Sequence, residues 1–154
     1  MKLLKHRNFS SYIEGSVGSN AYRHIFVCDD NGEERDIVED GQLSCAYFAS
    51  SAMLVAGLIK SVHATVASTL KDMEVSGWVR VSEPRPGCVI LWASDLEAGA
   101  QHAHVGFYVG NDEAISNSTS ERVPRRHHVT YGVNDDGTPK RPIVSYWWHS
   151  DLES

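Results

Sequence analysis

The segment from Gly41 to Lys60, GQLSCAYFASSAMLVAGLIK, constrains the fold more than any other part of the chain. After Ala46 it is apolar nearly all round, and Ser50 and Ser51 are the main interruptions. A helix with apolar side chains on every side is buried in a core rather than laid along a surface. The segment therefore predicts one buried helix around which the other elements pack.

The start of this helix carries a thiol. Ser44 is a good N-cap residue, because its hydroxyl can accept from a free backbone N–H of the first turn. Cys45 then lies in the first turn, where the helix dipole favours the nucleophilic thiolate. A free cysteine is also among the most buried residue types and often acts as a small hydrophobe. Other residues must decide between these two interpretations.

Length and charge exclude several classes of protein. A chain of 154 residues predicts one domain, residues 1–154, with room for a core. The net charge of −6 gives no basic footprint, so we expect no nucleic-acid partner. No apolar run reaches the roughly 18 to 20 residues that span a bilayer, so membrane insertion is not expected. Neither cofactor nor metal is predicted, and the oligomeric state stays open.

The first residues and the cysteines bear on location. MKLLKHRNFSSY has basic residues but no apolar stretch of a secretory signal. Cys28, Cys45 and Cys88 are odd in number and lack close zinc-ligand spacing, which fits a reducing compartment. We therefore expect a cytoplasmic protein, or one exported by a route that needs no signal peptide.

The first half of the chain predicts helices and one hairpin. We expect a short helix over 8–15, strands over 22–28 and 33–38, and a turn at DDNG, since Asn-Gly suits a tight hairpin. A second long helix is predicted over 61–76, because apolar residues recur at helical spacing. Gly77 is a natural residue for its end.

The second half is rich in predicted strands. They cover 78–81, 88–92, 103–110, 114–118, 127–131 and 143–148, with a polar loop over 95–101. The run at 88–92 is continuously apolar, which is typical of a buried strand. These patterns predict an α+β fold in which the N-terminal helices pack on an antiparallel sheet.

The strand AHVGFYVG brings a base to the thiol. Side chains alternate along a strand, so His104 shares a face with Gly106 and Tyr108. A nucleophilic cysteine needs a base within hydrogen-bond reach and a third group to hold that base. The hairpin after His104 brings Ser116 or Asn117 to its level. Asn117 is the better orienting group, because its amide oxygen accepts from an imidazole N–H.

Three segments resemble the NlpC-type papain-like cysteine peptidases, the cell-wall endopeptidase and amidase superfamily. LSCAYFASSAMLVAGL looks like the cysteine-bearing helix of that family, RPGCVILW like a conserved strand of it, and HVGFYVGNDEAIS like its histidine strand and hairpin. More faintly, SNAYRH is similar to the segment that carries a substrate-site tyrosine. The resemblance implies a papain-like single domain, and substrate contacts from Tyr22 and from Ser44, next to the nucleophile.

The chain departs from the family pattern at several positions. Ser44 stands where Asp is frequent, Ala46 where Ser is usual, and Cys88 where Asp is usual. The third polar residue is commonly His. By direct counting Ser116 falls there, and a turn longer by one residue would bring Asn117 into register.

The resemblance implies a thiol-dependent hydrolase of bacterial type. Cys45 would attack an amide carbonyl, His104 would act as base and acid, and Asn117 would orient the imidazole. Peptide bonds in peptidoglycan stem peptides are the substrate implied. The alternatives are an acyltransferase, thioesterase or deamidase on the same scaffold, and a non-catalytic binding module.

Two further groups of polar residues could bind a metal or a substrate. His102, His104, His127 and His128 are the best candidates for a metal site, but no Asp or Glu stands at motif spacing, so no metal is predicted. Arg125 and Arg126 are most simply a solvated basic rim. The sharper interpretation is that one of them binds a substrate carboxylate through two hydrogen bonds.

Overall fold

The computed structural model describes residues 1–94 and 103–153. The predicted polar loop at 95–101 and His102, one of the candidate metal ligands, lie outside the described residues.

Three helices belong to the first half of the chain. They are α1, Lys5–Gly15; α2, Cys45–Val55; and α3, Val66–Ser76. In α1 the buried side chains are Phe9 and Ile13. Six of the eleven residues of α2 are buried, which confirms the central helix predicted from its apolar composition. No helix among the described residues is long and apolar enough to cross a bilayer.

The third helix begins later than its apolar spacing predicts. Thr65 is its N-cap and accepts a hydrogen bond from the Ser68 backbone N–H, so the helix begins at Val66 rather than near residue 61. Val62, which appeared to belong to the helical pattern, is exposed. Gly77 ends the helix in a left-handed conformation at φ +101°, as predicted.

The strands form two antiparallel sheets. The small one pairs β1, Phe26–Cys28, with β2, Glu34–Asp36. The large one has the order β3-β8-β4-β5-β6-β7. Its strands are β3, Trp78–Val81; β4, Val89–Trp92; β5, His104–Gly110; β6, Glu113–Asn117; β7, Pro124–His128; and β8, Ile143–His149.

Strand β7 lies three residues before its predicted position of 127–131. Among the described strands it pairs with β6 alone, at the edge of the sheet, with Pro124 opposite Asn117. A proline is tolerated as the first residue of an edge strand, because no ladder bond there needs its missing N–H. The chain then turns, and the Tyr131 backbone N–H donates to the His128 carbonyl at 2.9 Å.

The main core lies between the helices and one face of the large sheet. Phe107 of β5 makes edge contacts with Phe9 of α1 and Phe48 of α2, with ring centroids 5.4 and 5.6 Å apart. The opposite face carries a smaller apolar cluster that includes Ile90, Trp92 and Ala114. The predicted α+β architecture, with N-terminal helices on an antiparallel sheet, is confirmed.

Candidate active site

The thiol of Cys45 lies at the first residue of α2 and is half-buried. Ser44 is the N-cap residue, but its side chain caps no first-turn N–H. Its buried hydroxyl instead donates to the Tyr22 carbonyl at 2.5 Å, which corrects the predicted capping bond. Ser44 therefore ties the start of α2 to the short 3₁₀ turn at Asn20–Tyr22.

The loop before Cys45 is clamped from two sides. Gly41 has φ +85°, and a Cβ there would lie 2.4 Å from the Arg122 carbonyl oxygen, so only glycine fits. The Asn117 side-chain amide donates to the Gly41 carbonyl at 2.7 Å. The Asp40 carboxylate accepts from Arg23 and from Arg122 at 2.8 Å. These contacts fix the direction from which the chain reaches Cys45.

The sulfur of Cys45 is positioned against β5. Burial raises the pKa of the Cys45 thiol, while hydrogen bonds from the backbone N–H groups of Val105 and Ala46, and the charge of Arg141, act to lower it. Val105 directly follows His104 in β5, and Cys45 packs against the core cluster to which Val105 belongs. The start of α2 therefore lies beside the strand that carries His104, and the described contacts include no hydrogen bond between the Cys45 and His104 side chains.

The His104 imidazole is buried and held by a hydroxyl. Its Nε2 lies 2.9 Å from Ser116 Oγ, and its ring centroid lies 5.1 Å from that of Trp92. Burial, followed by repulsion from Arg141 and His127, lowers the pKa of His104 to about 3. The resting imidazole is therefore uncharged at neutral pH, and its other ring nitrogen is not engaged by Ser116.

The imidazole contacts Ser116 and not Asn117 among the described side chains. Neighbouring residues of a strand point to opposite faces, so Ser116 and Asn117 cannot both face His104. Asn117 reaches the loop before α2. Its predicted bond to the imidazole therefore has no counterpart in the described contacts, and the register obtained by direct counting leads to Ser116.

Tyr22 and Ser44 were predicted to contact substrate, and the structure places both inside the protein. Tyr22 packs between Tyr47 and Phe48, and its hydroxyl contacts Tyr12 and Ser16, each at 3.1 Å. Chiefly because of burial, the pKa of Tyr22 rises to about 12. Neither residue lines the cavity described next, so their contact with substrate stays a prediction.

A cavity of about 580 Å³ opens beside His104. Its described lining combines the polar residues of the site with four cationic side chains and one carboxylate: His104, Ser116, Asn117, Ser118, Thr119, Ser120, Glu121, Arg125, Arg126, His127, Tyr131, Lys140 and Arg141. Cys45 is not among these lining residues. The cavity favours a ligand that carries negative charge.

The four cations differ in how far they are already neutralised. Arg125 pairs with Glu121, and Arg126 pairs with Glu14 and Glu113. Within residues 1–94 and 103–153, no carboxylate lies within ion-pair distance of Lys140 or Arg141. The charge that these two residues present to the cavity is the stronger attraction for an anion.

The remaining candidate metal ligands separate. The His128 ring Nδ1 accepts from the backbone N–H groups of Thr130 and Gly132, whereas His127 turns toward Ser116. Within the part of the chain that the structure describes, no three His, Cys, Asp or Glu side chains are placed to hold a metal ion.

Three residues of the site were missed or misjudged from sequence. Counting residues along the hairpin from His104 leads to Ser116, but Asn117 is preferred in the sequence analysis because its amide oxygen can accept from an imidazole N–H. The sequence groups His127 with the basic rim, although alternation along a strand from Pro124 places His127 on the face opposite Pro124, the face that also carries Ala114 and Trp92. Tyr131 gave no sequence signal, because its position depends on the turn that follows β7.

Comparisons with known proteins support the fold. No protein-family model matches the chain, and no curated protein matches it in sequence. The structure of NlpC2 from Trichomonas vaginalis is similar, with a TM-score of 0.54 and 18% identity over 94% of this chain. The match covers 48% of that protein, so this chain spans about half its length. The fold is therefore NlpC-like, an α+β arrangement of the papain type.

Proposed function

We propose that this protein is a thiol-dependent hydrolase that cleaves amide bonds through Cys45 and His104. One observation carries the proposal. Cys45, at the start of α2, packs against the core cluster that contains Val105, the residue that follows His104, and the backbone N–H of Val105 acts to lower the pKa of the thiol. An NlpC-like fold with a cysteine at a helix start and a histidine beside it fits this chemistry, because a nucleophile needs a base within reach.

The reaction would proceed in two stages. The thiol proton moves to the His104 nitrogen that does not contact Ser116, as sulfur bonds to the carbonyl carbon. Collapse breaks the carbon–nitrogen bond, and the imidazolium gives its proton to the leaving amine. Water then attacks the thioester, His104 takes a proton from that water, and collapse releases the acid while the proton returns to sulfur.

The resting charge state follows from burial. Burial raises the pKa of Cys45 and lowers that of His104, so the uncharged pair is favoured until substrate arrives. The Cys45 backbone N–H at the start of the helix is a donor for the developing oxyanion. Ser116 holds the imidazole in this account, and Asn117 holds the loop that precedes Cys45.

A peptide that carries free carboxylates is the substrate class we propose, with peptidoglycan stem peptides as the leading case. The support is the cavity beside His104, which Lys140 and Arg141 line without a described carboxylate partner. An acyltransferase, thioesterase or deamidase would use the same nucleophile and base.

A non-catalytic module that binds anionic peptides is the second candidate. The observation in its favour is that the described lining of the cavity includes His104 but not Cys45. Such a module would bind carboxylated peptides in the cavity and leave them intact.

The test is digestion of purified stem peptides, followed by mass spectrometry. We expect cleavage by the native chain and by Cys28→Ala, a matched control because Cys28 is exposed on the β1–β2 hairpin, and none by Cys45→Ala. Binding without cleavage in all three proteins would favour the second candidate. Cleavage that survives in Cys45→Ala would refute the thiol mechanism.

A further inference from the structure

The hydroxyl of Ser116 is the meeting point of three side chains. Its oxygen lies 2.9 Å from His104 Nε2, 2.7 Å from His127 Nε2 and 3.1 Å from the Tyr131 hydroxyl. Ser116 itself is buried. A serine hydroxyl has one hydrogen to donate and two lone pairs that accept. Three partners therefore use its full capacity, and the direction of each bond can be worked out.

The direction of the Ser116–His127 hydrogen bond follows from the contact that His127 makes with the His128 backbone carbonyl. His127 Nδ1 lies 2.7 Å from the His128 backbone carbonyl oxygen, which can only accept, so Nδ1 carries a hydrogen. Burial lowers the pKa of His127, which favours the uncharged ring. In an uncharged imidazole the second nitrogen has no hydrogen, so His127 Nε2 accepts. The single hydroxyl hydrogen of Ser116 must then point to His127.

The remaining two bonds must run toward the Ser116 oxygen. Tyr131 donates its hydroxyl hydrogen to one lone pair. His104 donates from Nε2 to the other, so its Nε2 carries the hydrogen and its Nδ1 is left bare. A bare Nδ1 is the state that the base needs in order to take the thiol proton.

We propose that His127 is a positioning residue, which acts through Ser116 to hold His104 in the tautomer that can accept a proton from Cys45. This inference rests on the proposed function for its catalytic meaning. The third member of the site is then His127 of β7, which contacts the Ser116 hydroxyl and reaches His104 only through it.

The surroundings hold His127 and Tyr131 in this arrangement. Tyr131 adopts φ +60°, a left-handed conformation that is uncommon for a bulky residue. Its ring stacks on that of His127, with centroids 4.0 Å apart and planes 13° apart. The Arg141 guanidinium carbon lies 5.9 Å from the centroid of the Tyr131 ring. An uncommon backbone conformation at a saturated polar cluster is typical of functional sites.

Removal of the acceptor on His127 would release this arrangement. In His127→Phe the ring still stacks on Tyr131, but nothing on it accepts the Ser116 hydrogen. That hydrogen can then point to His104 Nε2, which shifts the imidazole to the tautomer protonated at Nδ1. In His127→Gln the side-chain oxygen can accept from Ser116 and preserve the original direction. The two variants form a matched pair.

The experiment reads the His104 tautomer directly, by proton–nitrogen correlation spectra of protein labelled with ¹⁵N-histidine. We expect the Nε2–H form in the native chain and in His127→Gln, and a second population protonated at Nδ1 in His127→Phe. Stem-peptide cleavage should fall by about ten- to a hundredfold in His127→Phe and recover in His127→Gln. Matching thermal unfolding curves would show that both variants fold.

The two proposals can fail separately. If the tautomer of His104 changes in His127→Phe but the native chain cleaves no stem peptide, the proposed function is refuted and the role of His127 is retained. An unchanged Nε2–H signal in a folded His127→Phe would overturn the positioning role of His127, whatever the activity. Equal loss of activity in both variants with the tautomer unchanged would assign His127 a packing role and overturn it as well.

Discussion

Two histidines of this molecule bond through the same ring nitrogen to different kinds of partner. His63 Nε2 lies 2.7 Å from the Asp72 carboxylate, and His104 Nε2 lies 2.9 Å from the Ser116 hydroxyl. A carboxylate favours a charged partner, whereas an uncharged hydroxyl does not, so an imidazole beside a hydroxyl can remain uncharged and able to accept a proton. The first pair is suited to holding structure, and the second to chemistry.

The contacts around Asp72 support a structural role for the first pair. Its buried carboxylate also accepts from the backbone N–H groups of Lys60 and Ser61 and from the Ser76 hydroxyl. Burial alone would raise the pKa of Asp72, but the bonds from His63, Lys60, Ser76 and Ser61 lower it to about 2. These bonds fasten the segment between α2 and α3 to the buried face of α3.

The largest expected effect is on the rate of cleavage, which should depend on His104 and not on His63. We expect His104→Ala to lower the rate of stem-peptide cleavage by about 10²- to 10⁴-fold, the usual contribution of a general base. His63→Ala should retain the native rate per folded molecule, because His63 faces Asp72 and not the cavity. Steady-state kinetics on both variants would measure this. Similar losses in the two variants would break the distinction.

The second prediction is that the His63–Asp72 pair contributes to stability and not to activity. Asp72→Asn should lower the free energy of unfolding by about 3 kcal/mol, because it removes a buried carboxylate that four donors share. Urea unfolding followed by circular dichroism measures the change. Glu74→Gln, an exposed position on the same helix, is the matched control and should have little effect.

The acid dependence of stability follows from the same carboxylate. Its pKa of about 2 in the folded protein is lower than in the unfolded chain, so its stabilisation is complete above about pH 4. It is lost as the pH falls toward 2, and linkage gives about 2 to 3 kcal/mol for this group. Between pH 5 and 2 the free energy of unfolding should therefore fall more steeply for the native chain than for Asp72→Asn. Parallel curves would contradict the assignment.

The smallest predicted effect concerns the cavity. Lys140→Gln should raise KM for a carboxylated stem peptide by up to about tenfold at low salt, with little change in kcat, because a rim charge contributes about 1 kcal/mol. Lys71→Gln on the exposed face of α3 provides the control. The effect should shrink as salt is added. A kcat loss without a KM change would indicate that Lys140 acts on the reaction and not on binding.

The sequence predicts best where a pattern is local. The alternation of β5, the continuous apolar run of β4 and the apolar surface of α2 each indicate the observed element. Glycine at position 77 ends α3, because the left-handed conformation there suits no other residue as well. Each of these features depends on few residues, and their neighbours in the fold agree with them.

Predictions that depend on distant contacts were less accurate. The start of α3 moved to Val66 because Asp72 takes the backbone N–H groups of Lys60 and Ser61, which no helical spacing reveals. The partner of His104 depended on which β6 side chain lies on the same face of the sheet as His104. Ser116 and Asn117 differ by one residue, and a shift of one residue exchanges the two faces of a strand.

The most direct test of the central claim is the pH dependence of iodoacetamide alkylation at Cys45, in the native chain and in His104→Ala, with exposed Cys28 as the internal reference. If His104 accepts the thiol proton, labelling of Cys45 at pH 7 is at least about tenfold faster in the native chain than in the variant. In His104→Ala the residual labelling should rise only at pH values above the ordinary range of a free thiol, because burial raises the pKa of Cys45. Identical pH profiles for Cys45 in both proteins would contradict the Cys45–His104 pair and the hydrolase built on it.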